Sequence, residues 1–135
     1  MADENNLFQL EVITPDRIFY KGEAYMVEFT AVDGKLGIYK NHIPLTTVVA
    51  PGVLVIKEAQ GEKQAALHAG FAEILPNKVT ILAEVAEWPD EIDGERAEKA
   101  RNRAEERLKS SGEEIDVARA EIALKKALVR LDLKS

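Results

Sequence analysis

Small and aliphatic side chains recur at steps of three and four residues between positions 91 and 133, a spacing that places them on one face of a helix. The Ser-Ser-Gly sequence at residues 110–112 interrupts this pattern and predicts a turn between two helices. The stripe on the first helix is mainly alanine, a shallow surface that lets a neighbouring helix approach closely. It comprises Ala97, Ala100, Ala104 and Leu108.

The second helix carries two apolar faces with a strip of basic side chains between them. One face can pack against the first helix, and the other needs a second partner. We expect the rest of the chain to cover that second face when the hairpin is folded. The faces comprise Ile115, Ala118, Ile122 and Val129 on one side and Ala120, Leu124, Ala127 and Leu131 on the other, and the strip comprises Arg119, Lys126 and Arg130.

A basic row also follows the apolar stripe of the first helix; it comprises Arg96, Lys99, Arg103 and Arg107. In a hairpin the two sets of cations come near each other, which is unfavourable unless an anion lies between them. The alternative is that both sets are solvated and pair with local acids, as Glu95 and Lys99 can at a spacing of four residues. Periodicity alone leaves both interpretations open.

Charged residues are distributed unevenly along the 135-residue chain. Residues 1–88 contain 7 basic and 12 acidic side chains, whereas the much shorter segment 89–135 contains 11 basic and 12 acidic ones. This change in composition, with Pro89 at the border, predicts two domains, 1–88 and 89–135. The net charge of −6 argues against general affinity for nucleic acid.

The first domain consists of short strand-like runs separated by turn signals such as Asp33-Gly34, Pro51-Gly52 and Pro76-Asn77. Regular spacing of this kind predicts a β-sandwich or barrel. We expect Lys21-Gly22 to separate two strands, and we expect separate strands at residues 64–68 and 71–75.

None of the common catalytic patterns occurs in the chain. The absence of cysteine excludes disulfides, thiolate nucleophiles and cysteine-based metal sites. The two histidines, His42 and His68, are not spaced for metal binding, and no glycine-rich phosphate loop is present. We predict that His68 is structural and that the first domain is a scaffold and docking surface with no catalytic or metal site.

Five motifs stand out along the chain: Thr14-Pro15-Asp16, Gly34-Lys35-Leu36-Gly37-Ile38, His42-Ile43-Pro44-Leu45, Gly70-Phe71 with Glu73, and Lys-Val-Thr-Ile-Leu-Ala at residues 78–83. Together they resemble the epsilon subunit of bacterial F-type ATP synthase, over nearly the whole chain. The resemblance implies an α+β fold, an N-terminal antiparallel β-sandwich followed by a C-terminal α-helical hairpin. It also implies a non-catalytic regulatory subunit of the central rotor stalk.

The same resemblance implies the partners. The sandwich would bind the gamma subunit and the c-ring, and so couple proton flow to ATP synthesis. The hairpin would inhibit ATP hydrolysis when it extends toward the catalytic alpha/beta hexamer. The subunit would be a peripheral protein at the cytoplasmic face of the bacterial cell membrane. We expect the hairpin to pivot at Glu87-Trp88-Pro89-Asp90, and we expect c-ring contacts at one end of the sandwich, from Lys35, Lys40 and His42.

The first helix begins with Ile92-Asp93-Gly94-Glu95-Arg96-Ala97, which is similar to the motif by which some bacterial members bind ATP. The resemblance implies that ATP is a regulatory ligand, not an obligatory cofactor, and that it favours the folded, non-inhibitory hairpin. Lys126 matches in part, because members that bind ATP well carry arginine there. Asp93 could equally be the N-cap of the helix. Carried over by position, the site comprises Glu87, Ile92, Asp93, Arg96, Ala97, Arg103, Lys126 and Arg130.

Two other functions fit parts of the sequence. A free-standing ATP-sensing domain would use the same basic rows outside any rotary complex. A nucleic-acid adaptor would use them to bind phosphates, but the acidic first domain disfavours it. A rotor subunit should co-purify with a membrane ATPase, and a free sensor should not.

Overall fold

The computed structural model describes residues 6–110 and 114–134, and among these the side chains of all except residues 114–116. A 3-10 turn at Pro89–Glu91 follows the last strand and leads into two helices, α1 (Gly94–Lys109) and α2 (Glu114–Lys134). The strands are β1 (Phe8–Thr14), β2 (Arg17–Ala24), β3 (Met26–Ala31), β4 (Gly34–Tyr39), β5 (Leu45–Val49), β6 (Gly52–Glu58), β7 (Gly61–Ile74) and β8 (Lys78–Glu87).

The strands form a continuous hydrogen-bonded arrangement in the order β2-β1-β8-β7-β5-β3-β4, and β6 pairs with both β3 and β7. The pairs are antiparallel except that between β1 and β8, which is parallel. Alternate residues point into a core that includes Leu10, Phe29, Leu54 and Ile81, none of which is exposed. The predicted fold class, a β-sandwich followed by a helical hairpin, is confirmed.

Strand β7 is the longest, with 14 residues, and it bends at Ala69 and Gly70, whose φ angles are 47° and 144°. Its first half pairs with β6 and its second half with β5, so one strand borders both. The sequence predicts two strands here because glycine is depleted in strands. That prediction is wrong, since pairing with β8 continues on both sides of the bend, at His68 and at Gly70.

The break expected at Lys21-Gly22 is also absent. Strand β2 continues to Ala24, where it pairs with Phe8 of β1, and Gly22 pairs with Leu10 within the same ladder. β2 ends at Ala24 and β3 begins at Met26, so Tyr25 is the residue between the two strands. Backbone pairing with β1 therefore outweighs the local turn preference of Lys-Gly.

The two helices pack as a hairpin through the alanine stripe. Ala97 and Ala104 of α1 and Ala120 and Ala127 of α2 are buried, as the periodicity predicts. Helix α2 also packs against β6, β7 and the 3-10 turn, so the hairpin is folded against the sandwich. Helix α1 ends at Lys109, and residues 111 and 112 of the predicted turn lie outside the described residues.

The second apolar face of α2 is not covered as expected. Ile122 is 50% exposed and Ala118 is exposed, while Val129 is partly buried. The side chain of Ile115 lies outside the described residues. The expectation fails because α2 meets the sandwich through its basic strip, where Arg130 bonds to Glu87.

Gly70→Ala should destabilise the sandwich. The backbone of Gly70 has a φ that residues with a side chain rarely adopt, and an added Cβ would collide with the carbonyl oxygen of Leu82. We expect the free energy of unfolding to fall by about 1–3 kcal/mol, measured by chemical denaturation. Gly37→Ala is the matched control, because its Cβ would meet no atom within 4 Å. Equal midpoints for the two variants would contradict the role of the bend.

Candidate functional site

The connection between sandwich and hairpin is fixed to the sandwich at Trp88. This residue has extended backbone angles, φ −73° and ψ 154°, as the following Pro89 favours. Its ring stacks on Phe19 with centroids 4.2 Å apart and meets Tyr20 edge-on at 6.4 Å. The first part of the predicted pivot is therefore packed against β2.

Glu91 makes a second attachment of the connection. Its carboxylate accepts two hydrogen bonds of 2.8 Å from the guanidinium of Arg17 and one of 2.9 Å from the backbone N–H of Trp88. The Arg17 bonds, helped by that N–H, hold the pKa of Glu91 below its usual range. After this attachment, the backbone is extended again at Ile92 and Asp93.

A cavity of about 330 Å³ lies where the end of β8, the 3-10 turn, α1 and α2 meet. Its volume is at the lower end of the range of small-molecule sites. Its wall contains three carboxylates, three arginines and two alanines. The lining residues are Glu87, Glu91, Asp93, Arg96, Ala97, Ala100, Arg103 and Arg130.

Arg96 and Arg103 of this cavity differ from two other basic residues of α1, Lys99 and Arg101. Lys99 and Arg101 have acidic neighbours one turn away, as the solvated alternative predicts. Within the described part of the chain, Arg96 and Arg103 have no carboxylate within 4 Å. Uncompensated cations that share a cavity attract an anionic ligand.

A second cavity, of about 250 Å³, continues from Ala100 and Arg103 along the groove between the helices. Its lining adds Arg107, so the positive charge extends toward the hairpin turn. A third, of about 470 Å³, lies beside the turn between β1 and β2 and is lined by Asp16, Glu84, Glu87 and Glu91 around the already paired Arg17. Because carboxylates predominate in the wall of this third cavity, it is unfavourable for an anionic ligand.

Arg130 links the hairpin to the sandwich. Its Nε donates a hydrogen bond of 2.7 Å to Oε1 of Glu87, and the two side chains are 28% and 24% exposed. The same guanidinium lines the cavity, so an anion bound there would compete with Glu87 for it. Lys134 adds a second link, since its Nζ donates to the carbonyl oxygen of Pro89 at 3.1 Å.

The structure places six of the eight predicted nucleotide residues in the wall of the 330 Å³ cavity. Ile92 is 3% exposed and lies beneath the start of α1. Lys126 lies one helical turn before Arg130, close enough to His68 to act on it electrostatically, and does not line the cavity. Asp93 caps α1 by accepting a bond of 3.1 Å from the backbone N–H of Arg96, and it lines the cavity as well.

The predicted c-ring contacts do not form one cluster. Lys35 lies at the start of β4, whereas Lys40 and His42 lie beyond its other end. Lys40 follows Lys35 by five positions along β4 and the residue after it, which corresponds to about 17 Å. In the loop, Nδ1 of His42 donates to the carbonyl oxygen of Ile43 at 2.7 Å.

That loop lies at the end of the sandwich away from the hairpin. The backbone N–H of Asn41 donates to Pro76 O at 2.8 Å, next to the start of β8. The nucleotide candidates lie at the other end of the same strand, at Glu87. Ten residues of strand separate the two regions, which is about 30 Å.

An exposed apolar row crosses five strands on the outer face of the sandwich. Phe71 lies opposite both Val48 and Leu82, and Ile13 lies opposite both Leu82 and Ile18. These cross-strand pairs place the side chains side by side on one face. Val32 extends the row, because its N–H bonds to Val48 O. Exposed fractions are 60% for Ile18, 67% for Val32, 42% for Val48, 57% for Phe71 and 52% for Leu82.

Comparison with known protein families assigns both halves of the chain. Residues 7–89 match the beta-sandwich domain of the ATP synthase delta/epsilon chain, and residues 90–134 match its long alpha-helix domain. The chain belongs to the ATP synthase delta/epsilon family. The resemblance seen in the sequence is thereby confirmed.

Relatives within the delta/epsilon family match almost end to end. The chain is 49% identical to the ATP synthase epsilon chain of Shouchella clausii over 126 residues, covering 93% of this chain and 92% of that one. It is 46% identical to the epsilon chain of Natranaerobius thermophilus over 127 residues, covering 93% and 90%.

Solved structures of ATP synthase share the delta/epsilon fold. A chain of the Euglena gracilis mitochondrial ATP synthase, solved with OSCP, F1 and c-ring, superposes with a TM-score of 0.81 at 24% identity, covering 93% of this chain and 79% of that one. A chain of the Tetrahymena thermophila central stalk and c-ring superposes with a TM-score of 0.71 at 12% identity, covering 95% and 96%.

Sequence reasoning missed three features of this delta/epsilon family member: the apolar row, the Arg17–Glu91 attachment and the contact between His68 and Glu87. Alternation marks Phe71 and Leu82 as outward-facing, but their alignment in one row depends on strand register. Among the described residues, neither helix is long and apolar enough to cross a membrane. Nor does any group of three acidic, histidine or cysteine side chains there form a metal site.

Proposed function

We propose that this chain is a non-catalytic regulatory subunit of the ATP synthase central stalk, and that ATP binds its folded hairpin as a regulatory ligand. Family membership supports the place in the complex. The observation that carries ATP binding is the cavity at the hairpin base, with Arg96 and Arg103 unpaired among the described residues. In that setting, the subunit would lie at the cytoplasmic face of the cell membrane as a peripheral protein.

The cavity has the polarity that a nucleoside triphosphate requires. Asp93 can accept hydrogen bonds from an adenine amino group or a ribose hydroxyl, and Ala97 gives an apolar surface beside it. Arg96, Arg103 and Arg130 can bind phosphate oxygens through paired N–H groups. The adjoining groove toward Arg107 leaves room for the end of the triphosphate.

Closure of the cavity requires the folded hairpin. Glu87 comes from β8, Arg96 and Arg103 from α1, and Arg130 from α2, so extension of the hairpin separates these groups. A ligand that binds only the folded form stabilises it by RT ln(1 + [L]/Kd). High ATP would therefore keep the hairpin away from the catalytic alpha/beta hexamer, and low ATP would release the inhibitor.

Arg103→Ala should weaken ATP binding about 10- to 150-fold, because a charge-assisted hydrogen bond contributes roughly 1.5–3 kcal/mol. Lys126→Arg should tighten binding, because the longer planar guanidinium can reach from the adjacent turn and bind phosphate bidentately. Isothermal titration of the isolated protein measures both, and we expect no requirement for Mg²⁺. Arg101→Ala is the matched control on α1, since Arg101 pairs with Glu98 and does not line the cavity. No heat with wild type at millimolar ATP would remove the nucleotide site.

Extension of the hairpin would begin after Glu91. Trp88 is stacked and Glu91 is bonded to Arg17, so these residues are held by the sandwich. Ile92 and Asp93 are extended and precede the first turn of α1, which makes them the segment best able to change its dihedral angles. This refines the pivot that the sequence suggests at Glu87 to Asp90.

A disulfide that closes the hairpin should relieve inhibition of ATP hydrolysis. A Cβ at Gly94 would lie 4.0 Å from Cβ of Lys134, within the range of disulfides, and the chain has no other cysteine. We expect an ATP synthase assembled with oxidised Gly94→Cys/Lys134→Cys protein to hydrolyse ATP faster than the same complex after reduction. The reduced sample is the control. Equal inhibition in both redox states would show that opening of the hairpin is not the inhibitory step.

The exposed apolar row is our candidate for the gamma-subunit contact. A contiguous row with side chains up to 67% exposed marks an interaction surface on a soluble protein. Both neighbouring rows carry acids, Glu73 and Glu84, so the partner surface should be apolar with basic side chains at its margins. The c-ring would meet the end of the sandwich that lies away from the hairpin, at Lys40 and His42, and Lys35 would be a separate contact.

Phe71→Glu should abolish binding of the purified gamma subunit or weaken it at least about 30-fold, as expected for a central apolar contact worth about 2 kcal/mol. The side chain points outward, so the thermal midpoint should change little. Leu128→Glu is the matched control, because Leu128 is 47% exposed but lies on α2. Unchanged gamma binding by the folded Phe71 variant would exclude this row as the contact.

The alternative, a free-standing ATP sensor, uses the same cavity but leaves the apolar row without a partner. The relatives of this chain are ATP synthase epsilon chains, which favours a stalk subunit over a free-standing sensor. Co-purification with a membrane ATPase separates the two functions.

A further inference from the structure

His68 is buried between the sandwich and α2 and has no hydrogen-bond partner. Its side chain is 1% exposed, and neither Nδ1 nor Nε2 is bonded to any described atom. A buried polar group without a partner is costly, and such groups are rare in folded proteins. Its position on β7 opposite Val85 places it on the sheet face that α2 covers.

Three charged groups act on His68 from the elements packed against it. Oε1 of Glu87, on β8, lies 3.7 Å from Nε2. Arg130 and Lys126, both on α2, are the positive groups. Burial, then the charges of Arg130 and Lys126, lower the pKa of His68 to about 4 against the opposing effect of Glu87. At neutral pH the imidazole is therefore uncharged, and the Glu87 carboxylate is paired with Arg130 instead.

A polyphosphate in the cavity would change both neighbours of His68. It would neutralise Arg130 and draw the guanidinium toward its own oxygens, which would leave the partly buried Glu87 carboxylate without its cation. A partly buried carboxylate without a partner is unfavourable. The unbonded Nε2 of His68 is the next group within reach of the same oxygen, Oε1.

We propose that His68 is a proton-binding positioning residue of the nucleotide site: when phosphate takes Arg130 from Glu87, His68 binds one proton from solvent and becomes the new partner of the Glu87 carboxylate. The proposal rests on ATP binding in the cavity described above. It makes ATP binding consume a proton, so mild acid favours the ligand-bound, folded hairpin.

The sign of the pH dependence follows from linkage. Free protein holds His68 neutral above about pH 4, and the bound state raises its pKa toward the ordinary value of about 6.5. The bound state then carries more protons between these two values, so affinity rises as pH falls through the bound-state pKa. With those values, ATP binds about 10-fold more tightly at pH 5.5 than at pH 7.5.

The first test needs no nucleotide. Arg130→Gln imitates loss of the cation, and NMR titration of the two histidine resonances should show a rise in the pKa of His68 by at least about one unit, with His42 as the internal reference. Arg119→Gln is the control, because Arg119 is exposed on the same helix. In the double variant Arg130→Gln/Glu87→Gln, the pKa of His68 should no longer rise, because the carboxylate that stabilises the imidazolium is gone. If loosening of the hairpin caused the rise instead, the pKa of His68 would rise in both variants. An unchanged titration in Arg130→Gln, or the same rise in the double variant, overturns the proposal.

The second test is isothermal titration of the full chain with ATP at pH 5.5 and 7.5, in buffers of different ionisation enthalpy. Wild type should take up protons and bind more tightly in acid. Protonation of ATP itself contributes equally to the proton uptake and to the pH dependence of affinity in both proteins. His68→Gln should show only this common contribution, and wild type should exceed it. Equal proton uptake by wild type and His68→Gln overturns the proposal. Absence of ATP binding at both pH values, with the NMR shift present in Arg130→Gln, instead removes the nucleotide site and leaves the coupling between His68 and Arg130.

Discussion

The ion pair between Arg130 and Glu87 is the interaction on which the arrangement of the two domains depends. It joins a helix near the C-terminus to the last residue of the sandwich through a bond of 2.7 Å. The same ion pair lies beside the buried His68 and brings a cation from α2 into a cavity whose other walls come from the end of β8, the 3-10 turn and α1. One residue thus contributes both to holding the hairpin in place and to the site at its base, so an anion that competes for Arg130 must affect both.

The hairpin interface is well suited to reversible opening. Among the described side chains of the two helices, the fully buried ones are the alanines at positions 97, 104, 120 and 127, and an alanine buries far less apolar surface than a leucine. Segments with few buried apolar contacts open at low free-energy cost. The core of the sandwich, with Phe29, Leu54 and Ile81 fully buried, is much more extensive. A ligand at the hairpin base can therefore shift the hairpin without disturbing the fold that carries it.

The proposed docking surfaces and the proposed nucleotide site lie on different parts of the molecule. The apolar row lies across β5, β7, β8, β1 and β2, the loop with Lys40 and His42 lies at one end, and the cavity lies at the other. The Arg17–Glu91 bonds and the stacking of Trp88 on Phe19 keep the connection fixed between them. Under the proposed function, the sandwich would remain bound to its partners while the segment after Glu91 changes conformation.

The sequence alone determined the two-part architecture, the alanine stripe and the Asp93 cap, because these follow from composition, local periodicity and capping preference. It also indicated most residues of the cavity, but through the resemblance of short motifs to the epsilon subunit family. Only the tertiary structure decided the continuous β7, the separation of Lys35 from Lys40, the exposure of Ile122 and the burial of His68 beside Glu87. These depend on strand register and on which face of α2 meets the sandwich. Both are set by contacts between residues far apart in the chain, which leave no local pattern.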